Sequence, residues 1–255
     1  MVTSKTQKFD YGWQLHIYDV ASSTSDILFS LDNKTEGHAV LAGQQTAGRG
    51  RRGSSWSSAL NDGMYLSVML SPARPQQEWP TLSFIAALSL HAALQKTVPP
   101  LKAGLKWPND VLVNGGKLSG LLLEARDGHL VLGCGVNLKN APMITDRSFA
   151  PTDVYAQTGI VLAPETLATA FLDELHSRYQ IWQSSGFSPF YHLYKEQLLF
   201  LGEPIQVNQA SQSLSGIFED MREDGALLLK TENGDLTAIT AGDVNLIGSD
   251  NASGD

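Results

Sequence analysis

Residues 102–137 constrain the fold most. Apolar runs at 102–107, 110–113, 117–124 and 129–137 are separated by Pro108-Asn109, Asn114-Gly115-Gly116 and Asp127-Gly128. Asn-Gly and Asp-Gly supply the positive φ angles that tight hairpin turns require. Pro108 cannot donate to a strand ladder, so the chain bends there. The stretch reads as an antiparallel meander. Gly133 and Gly135 strip one face of its last strand, which marks close approach by another backbone or by a ligand.

The flanking sequence adds strands and helices around this meander. Residues 15–20 alternate apolar and polar, as a half-buried strand does. Ser22, Ser23, Thr24 and Ser25 then offer hydroxyl caps for a helix beginning near Ile27. A strand feeding such a helix start also makes an oxygen- or carboxylate-binding corner, because unpaired N–H groups point outward there. Residues 39–43 and 64–70 read as buried strands. A helix carries Leu82, Ile85, Leu88 and Ala92 on one face and closes at Pro99-Pro100. Residues 141–160 read as a polar, irregular connection. Further helices start at Pro164, with Leu167, Phe171, Leu175 and Tyr179 spaced by four, and at Ser188, running to about Phe200.

From Leu201 the texture changes. Strand-like segments at 204–207, 216–221, 226–230 and 235–240 alternate with turns at Asp224-Gly225 and Asn233-Gly234. A closed β unit of about 50 residues has too little core to stand generously alone, so it is expected to pack on the larger part. The class is α+β: a mixed, largely antiparallel sheet with helices packed on it, plus a small C-terminal β unit. The expected division is 1–200 for the catalytic part, 201–248 for the small unit and 249–255 for a disordered tail.

The 255-residue chain is 42% hydrophobic and 17% charged, a globular balance. No apolar run nears the roughly 20 residues that span a bilayer, and residues 1–8 lack a signal-peptide core. With Cys134 as the one cysteine, no internal disulfide can form, which fits a reducing cytoplasm. These features predict a cytoplasmic protein without membrane attachment. A net charge of −8 argues against general nucleic-acid binding. The charge is uneven: residues 1–130 hold 12 Lys and Arg against 10 Asp and Glu, while residues 131–255 hold 6 against 16.

The cationic half is centred on Gln45-Thr46-Ala47-Gly48-Arg49-Gly50-Arg51-Arg52-Gly53-Ser54-Ser55-Trp56. Glycines let this loop approach a ligand, and each arginine offers a charged fork suited to carboxylate or phosphate. A solvated basic turn is the common meaning of such a loop. Its company favours a site. Lys106-Trp107-Pro108-Asn109-Asp110 and Lys117 place two cations, an amide and a carboxylate at the ends of paired strands. Together with Arg49, Arg51 and Arg52 they would neutralise a polyphosphate and leave Asp110 to hold Mg²⁺. Other chemistries fit poorly: there is no His pair at metal spacing, no Gly-x-Ser-x-Gly, and Gly48-x-Gly50-x-x-Gly53 lacks the helix a dinucleotide-binding turn needs.

Four motifs, in order, closely resemble the biotin protein ligases: Gln45-x-x-Gly48-Arg-Gly-Arg-Arg-Gly53-x-x-Trp56, Lys106-Trp-Pro-Asn-Asp110, Lys117-Leu-Ser-Gly120 leading to Glu124, and Gly133-x-Gly-Val-Asn137. The resemblance covers about residues 15–245. It implies the fold that biotin and lipoyl ligases share with class II aminoacyl-tRNA synthetases, with an SH3-like C-terminal unit. It also implies ATP and biotin as substrates, Mg²⁺, a biotinyl-5′-AMP intermediate, and a biotin carboxyl carrier protein as acceptor.

Carried over by position, Ser23, Thr24 and Ser25 would meet the biotin ring. Gln45, Gly48, Arg49, Gly50, Arg51, Gly120, Gly133 and Gly135 would line its pocket. Lys117 would bind the biotin carboxyl and the α-phosphate, with Arg51 and Asp110 as its catalytic companions. Arg49, Arg51, Arg52, Trp56, Lys106, Asn109 and Asn137 would surround the ATP or adenylate. Asp110 would hold the metal or orient the acceptor lysine.

Ser25 departs from the family, which commonly has Asn there. The 22 residues before Ser23 are too few for the DNA-binding winged helix of bifunctional members, so no DNA binding is expected. A homodimer could form along a sheet edge of residues 110–137. The rival readings are a lipoyl or octanoyl ligase of the same fold and a non-catalytic biotin sensor.

Overall fold

The computed structural model describes residues 5–143 and 149–247; the tail expected to be disordered lies outside them. Eight strands form one sheet: β1 (Lys5–Lys8), β2 (Gln14–Ala21), β3 (His38–Gln45), β4 (Gly63–Leu70), β5 (Ala103–Lys106), β6 (Asp110–Val113), β7 (Gly116–Arg126) and β8 (His129–Asn137). Their order is β1-β2-β3-β4-β8-β7-β6-β5. Only the β2–β3 pair is parallel, and it is the pair joined through a helix, α1 (Thr24–Phe29). The remaining pairs are antiparallel.

The meander forms as its turns dictate. Asn114 and Gly115 both take left-handed φ, at 48° and 76°, between β6 and β7, and Asp127-Gly128 does the same between β7 and β8. One face of the sheet is covered by α2 (Leu82–Thr97) and α4 (Pro164–Ser185), which also pack on each other. α2 is apolar nearly all round and is buried at Leu82 and from Phe84 through Leu90, as a helix sandwiched between layers must be.

Several sequence expectations change. The connection at 141–160 contains a short helix, α3 (Val154–Thr158), capped by the Asp153 carboxylate on the Ala156 N–H at 2.7 Å. The helix expected over 188–200 is a 3₁₀ turn and then α5 (Tyr191–Glu196), after which the chain runs on to cover β5. Leu105 donates to the Gln197 carbonyl and accepts from the Leu199 N–H, both at 2.8 Å. The outer edge of the sheet is thereby covered at Leu105. β1, unread in the sequence, forms the opposite edge of the sheet. Its four polar residues carry no apolar period, so periodicity had nothing to detect.

A second sheet follows, of β9 (Pro204–Asn208), β10 (Ser213–Met221), β11 (Leu227–Lys230), β12 (Leu236–Ile239) and β13 (Asp243–Leu246), in the order β12-β11-β10-β9-β13. It docks against the bend before β6. Trp107 is buried and donates its indole N–H to the Gly225 carbonyl at 2.9 Å, and the Trp107–Pro108 peptide is cis. One continuous apolar cluster runs from Leu66 and Leu88 through Trp107 to Val207 and Phe218. The small unit thus shares the core of the large sheet, which compensates for its own small size.

Candidate active site

A cavity of about 460 Å³ opens where α1, β4, β6–β8, the 48–56 loop and the C-terminal unit meet. One end is lined by hydroxyls. Ser23 caps α1, accepting from the Asp26 N–H at 3.4 Å. Thr24 donates its backbone N–H and its hydroxyl to Gln45 Oε1, at 2.9 and 3.0 Å. Ser67 Oγ lies 2.7 Å from Thr24 Oγ1 and 3.1 Å from Ser25 Oγ. All four hydroxyl residues are buried, and buried polar atoms persist only when partnered. Ser67 was missed in the sequence. A signal existed, because it is the sole polar side chain in an otherwise apolar strand that turns out wholly buried.

The other end is charged. Asp110 is buried between two ammonium groups: Lys106 Nζ lies 3.2 Å from Oδ2, and Lys117 Nζ 2.8 Å from Oδ1. Burial alone would push this carboxyl up. Lys117 and then Lys106 outweigh it and hold Asp110 below the usual carboxylate range. Lys106 is itself 3% exposed and reaches Asp243 of the C-terminal unit at 2.7 Å. Asn109 donates to the Leu121 carbonyl at 2.6 Å and accepts from Arg51 Nη1 at 2.6 Å. Asp243 and Asn245, both lining the cavity, belong to a strand that sequence reading did not find. β13 is four residues long and alternates too briefly to register.

The loop is ordered by its own backbone. Arg49 and Ser55 form an antiparallel bridge, and Trp56 N–H donates to the Gly48 carbonyl at 2.9 Å. A Cβ at Gly48 would lie 2.6 Å from the Trp56 carbonyl, so only glycine permits this closure. The tip is a 3₁₀ turn at Arg51–Gly53. Trp56 folds back so that its indole rests on the strand glycines. A Cβ at Gly135 would fall 2.5 Å from the ring, and one at Gly120 3.1 Å. Of the two glycines read as stripping a strand face, Gly135 lies under this ring, while a Cβ at Gly133 would instead approach Leu122 and Ser67 at about 3.7 Å. The indole N–H is buried with no hydrogen-bond partner among the described residues.

The arginines separate into different roles. Arg51 is half-buried and donates to Asn109 and to the Gly242 carbonyl, the latter at 3.3 Å. Burial lowers the affinity of its guanidinium for the proton, against Asp110 and Asp243; it stays charged at neutral pH. Arg52 donates to the Asn208 carbonyl at 2.9 Å from the rim. Arg49 pairs with Asp26 and Glu124. Ser23, Thr24, Ser25, Gln45, Gly50, Arg51, Arg52, Trp56, Lys106, Asn109, Asp110, Lys117, Gly120, Gly133 and Gly135 all line the one cavity. Gly48 does not reach its wall. Asn137 faces an adjoining recess with Ser55, Trp56 and Lys117, where its amide donates to the Thr152 carbonyl at 3.0 Å.

Asp110 is the residue expected to hold magnesium, and its Oδ1 is buried with no hydrogen-bond partner among the described residues, its contact with Lys117 being an ion pair. Each of its oxygens faces an ammonium, and no group of three or more His, Cys, Asp or Glu able to hold a metal occurs among the described residues.

The sheet, the cavity and a match over residues 17–137 to the biotin/lipoate A/B protein ligase family define a protein ligase of the biotin and lipoate class. Residues 200–246 match the biotin protein ligase C-terminal domain. The biotin–[acetyl-CoA-carboxylase] ligase of Paracoccus denitrificans is 37% identical over 205 residues, covering 75% of this chain and 83% of that protein. The enzyme of the same name from Mycobacterium tuberculosis is 34% identical over 243 residues, covering 91% and 89%. A biotin protein ligase from Aquifex aeolicus, solved with biotin and ATP, superposes with a TM-score of 0.82 at 27% identity, over 91% of this chain and 98% of that one. The chain belongs to the biotin protein ligase family.

Proposed function

We infer that the protein activates biotin with ATP and transfers it to a lysine of a biotin carboxyl carrier protein. The observation that carries this reading is the polarity of this cavity: neutral hydroxyls at one end, and Lys117, Arg51 and Lys106 at the other. A ureido ring needs donors and acceptors without charge. A carboxylate meeting a triphosphate needs cations, because both reactants are anionic.

In the first step a biotin carboxylate oxygen attacks the α-phosphorus of ATP. The bond to the bridging α–β oxygen breaks and pyrophosphate leaves. Lys117 is placed to draw the two anions together, since its ammonium lines the cavity and pairs, among the described residues, with Asp110. Arg51 offsets charge on the phosphate side. Magnesium is assigned to the ATP substrate. In the second step the acceptor lysine nitrogen attacks the acyl carbon, the bond to AMP breaks, and the amine loses a proton. Trp56 on its glycine platform supports a lid role, because the mixed anhydride must be kept from water. An acceptor atom on the bound adenylate would satisfy its indole N–H.

Incubation of the protein with biotin, ATP, magnesium and a carrier domain is expected to add one biotin per carrier, read by intact mass. A carrier with its acceptor lysine replaced by arginine should stay unmodified. Failure to modify the intact carrier would remove the transfer step from this account.

A further inference from the structure

We propose that Asp26 and Glu124 are positioning residues for adenylate retention, acting through Arg49 to anchor the base of the 48–56 loop. The inference rests on the adenylate-forming reading above. Arg49 Nη1 and Nη2 donate to Asp26 Oδ2 and Oδ1 at 2.7 and 2.9 Å. Its Nε and Nη2 donate to Glu124 Oε1 and Oε2, both at 3.2 Å. The guanidinium is therefore gripped by two carboxylates, each in the two-point geometry that fixes orientation as well as distance. Little donor capacity remains for a phosphate, although Arg49 borders the cavity.

The two carboxylates come from the two walls of the site. Asp26 stands in the first turn of α1, next to the hydroxyl cluster. Glu124 lies in β7, the strand that carries Lys117 and Gly120. Neither lines the cavity, so neither touches reacting atoms. Arg126 completes the cluster at 3.4 Å from Asp26 and 3.6 Å from Glu124, with its guanidinium over the Phe29 ring at 4.6 Å. Hydrogen bonding to Arg49 holds the Asp26 carboxyl below its usual range, against burial.

The loop then divides at Gly50. Its base is tied to α1 and β7. Its tip, beyond Gly50, reaches Asn109 through Arg51 and the Asn208 carbonyl through Arg52. The Arg49–Ser55 bridge joins the limbs one residue before Trp56. Where Arg49 is held therefore decides where Trp56 starts and whether its ring meets Gly135. A purely structural surface network of such half-exposed charges would contribute little and would leave retention unchanged.

The test uses full-length Asp26→Asn, Glu124→Gln and the double variant. Two quantities are read: biotin-dependent pyrophosphate exchange, and the escape of preformed adenylate with no acceptor present. Exchange should stay within about twofold of wild type, and escape from the double variant should rise about tenfold. Asp26→Glu, which keeps the charge, should restore retention. Adding Arg51→Gly to the double variant should release adenylate no faster than Arg51→Gly alone, because both act on one loop. Escape at the wild-type rate in variants that exchange normally, or with only a lower melting temperature, would overturn the inference alone. Absence of biotin-dependent exchange in wild type would overturn the activation reading and this inference with it.

Discussion

Lys117→Ala is expected to slow biotin-dependent pyrophosphate exchange by about two to three orders of magnitude, the usual loss when one preorganised electrostatic group is removed from a charge-developing step. The fold should survive. Lys117 is partly exposed, and its partner Asp110 keeps the Lys106 ammonium at 3.2 Å. The stability loss should therefore fall short of the about 3–5 kcal/mol that orphaning a buried charge costs. Far-UV circular dichroism and melting should stay close to wild type while the exchange rate collapses. Exchange near the wild-type rate would show that the ammonium facing Asp110 is a structural counter-ion and that another cation brings the two anions together.

Arg51→Gly is expected to act at the other end of the reaction. Arg51 ties the loop tip to Asn109 and to the Gly242 carbonyl. Glycine removes both ties and frees the backbone next to Gly50. Adenylate should still form, because Lys117 is untouched, but it should escape before the acceptor arrives. Indiscriminate biotinylation of lysines on bystander proteins is the expected readout, rising by about tenfold or more for the loss of a charge-assisted pair. Tightly held adenylate in this variant would contradict the lid role given to the loop.

Most of the large sheet was legible because its turns are chemically explicit. Asn114-Gly115 and Asp127-Gly128 dictated antiparallel neighbours, and these brought Asp110, Lys117, Gly120, Gly133 and Gly135 to one place. The missing elements carried no such signal. β1 is polar throughout, and β13 is too short to show a period. The cavity wall that β13 supplies, with Asp243 and Asn245, therefore came only from the fold.

The site followed the same division. Residue chemistry placed the cations in one half of the chain, but not how they pair. Arg49, Arg51 and Arg52 are alike in sequence. In the structure one is held by two carboxylates, one bridges to Asn109, and one rests on the C-terminal unit. Those differences come from α1 and β7 lying beside the loop, a tertiary fact that no local pattern encodes. Asp110 shows the converse. Its motif suggested an acid for a metal, and packing sets that acid between Lys106 and Lys117, a pairing the motif did not show.

The activation of biotin is tested most directly by isotope exchange. The protein is incubated with ATP, magnesium and labelled pyrophosphate, and with either biotin or lipoate. Label should enter ATP with biotin and not with lipoate. Exchange with lipoate alone would assign the cavity to another acid, and exchange with neither would mean that the cations around Lys117 do not activate a carboxylate.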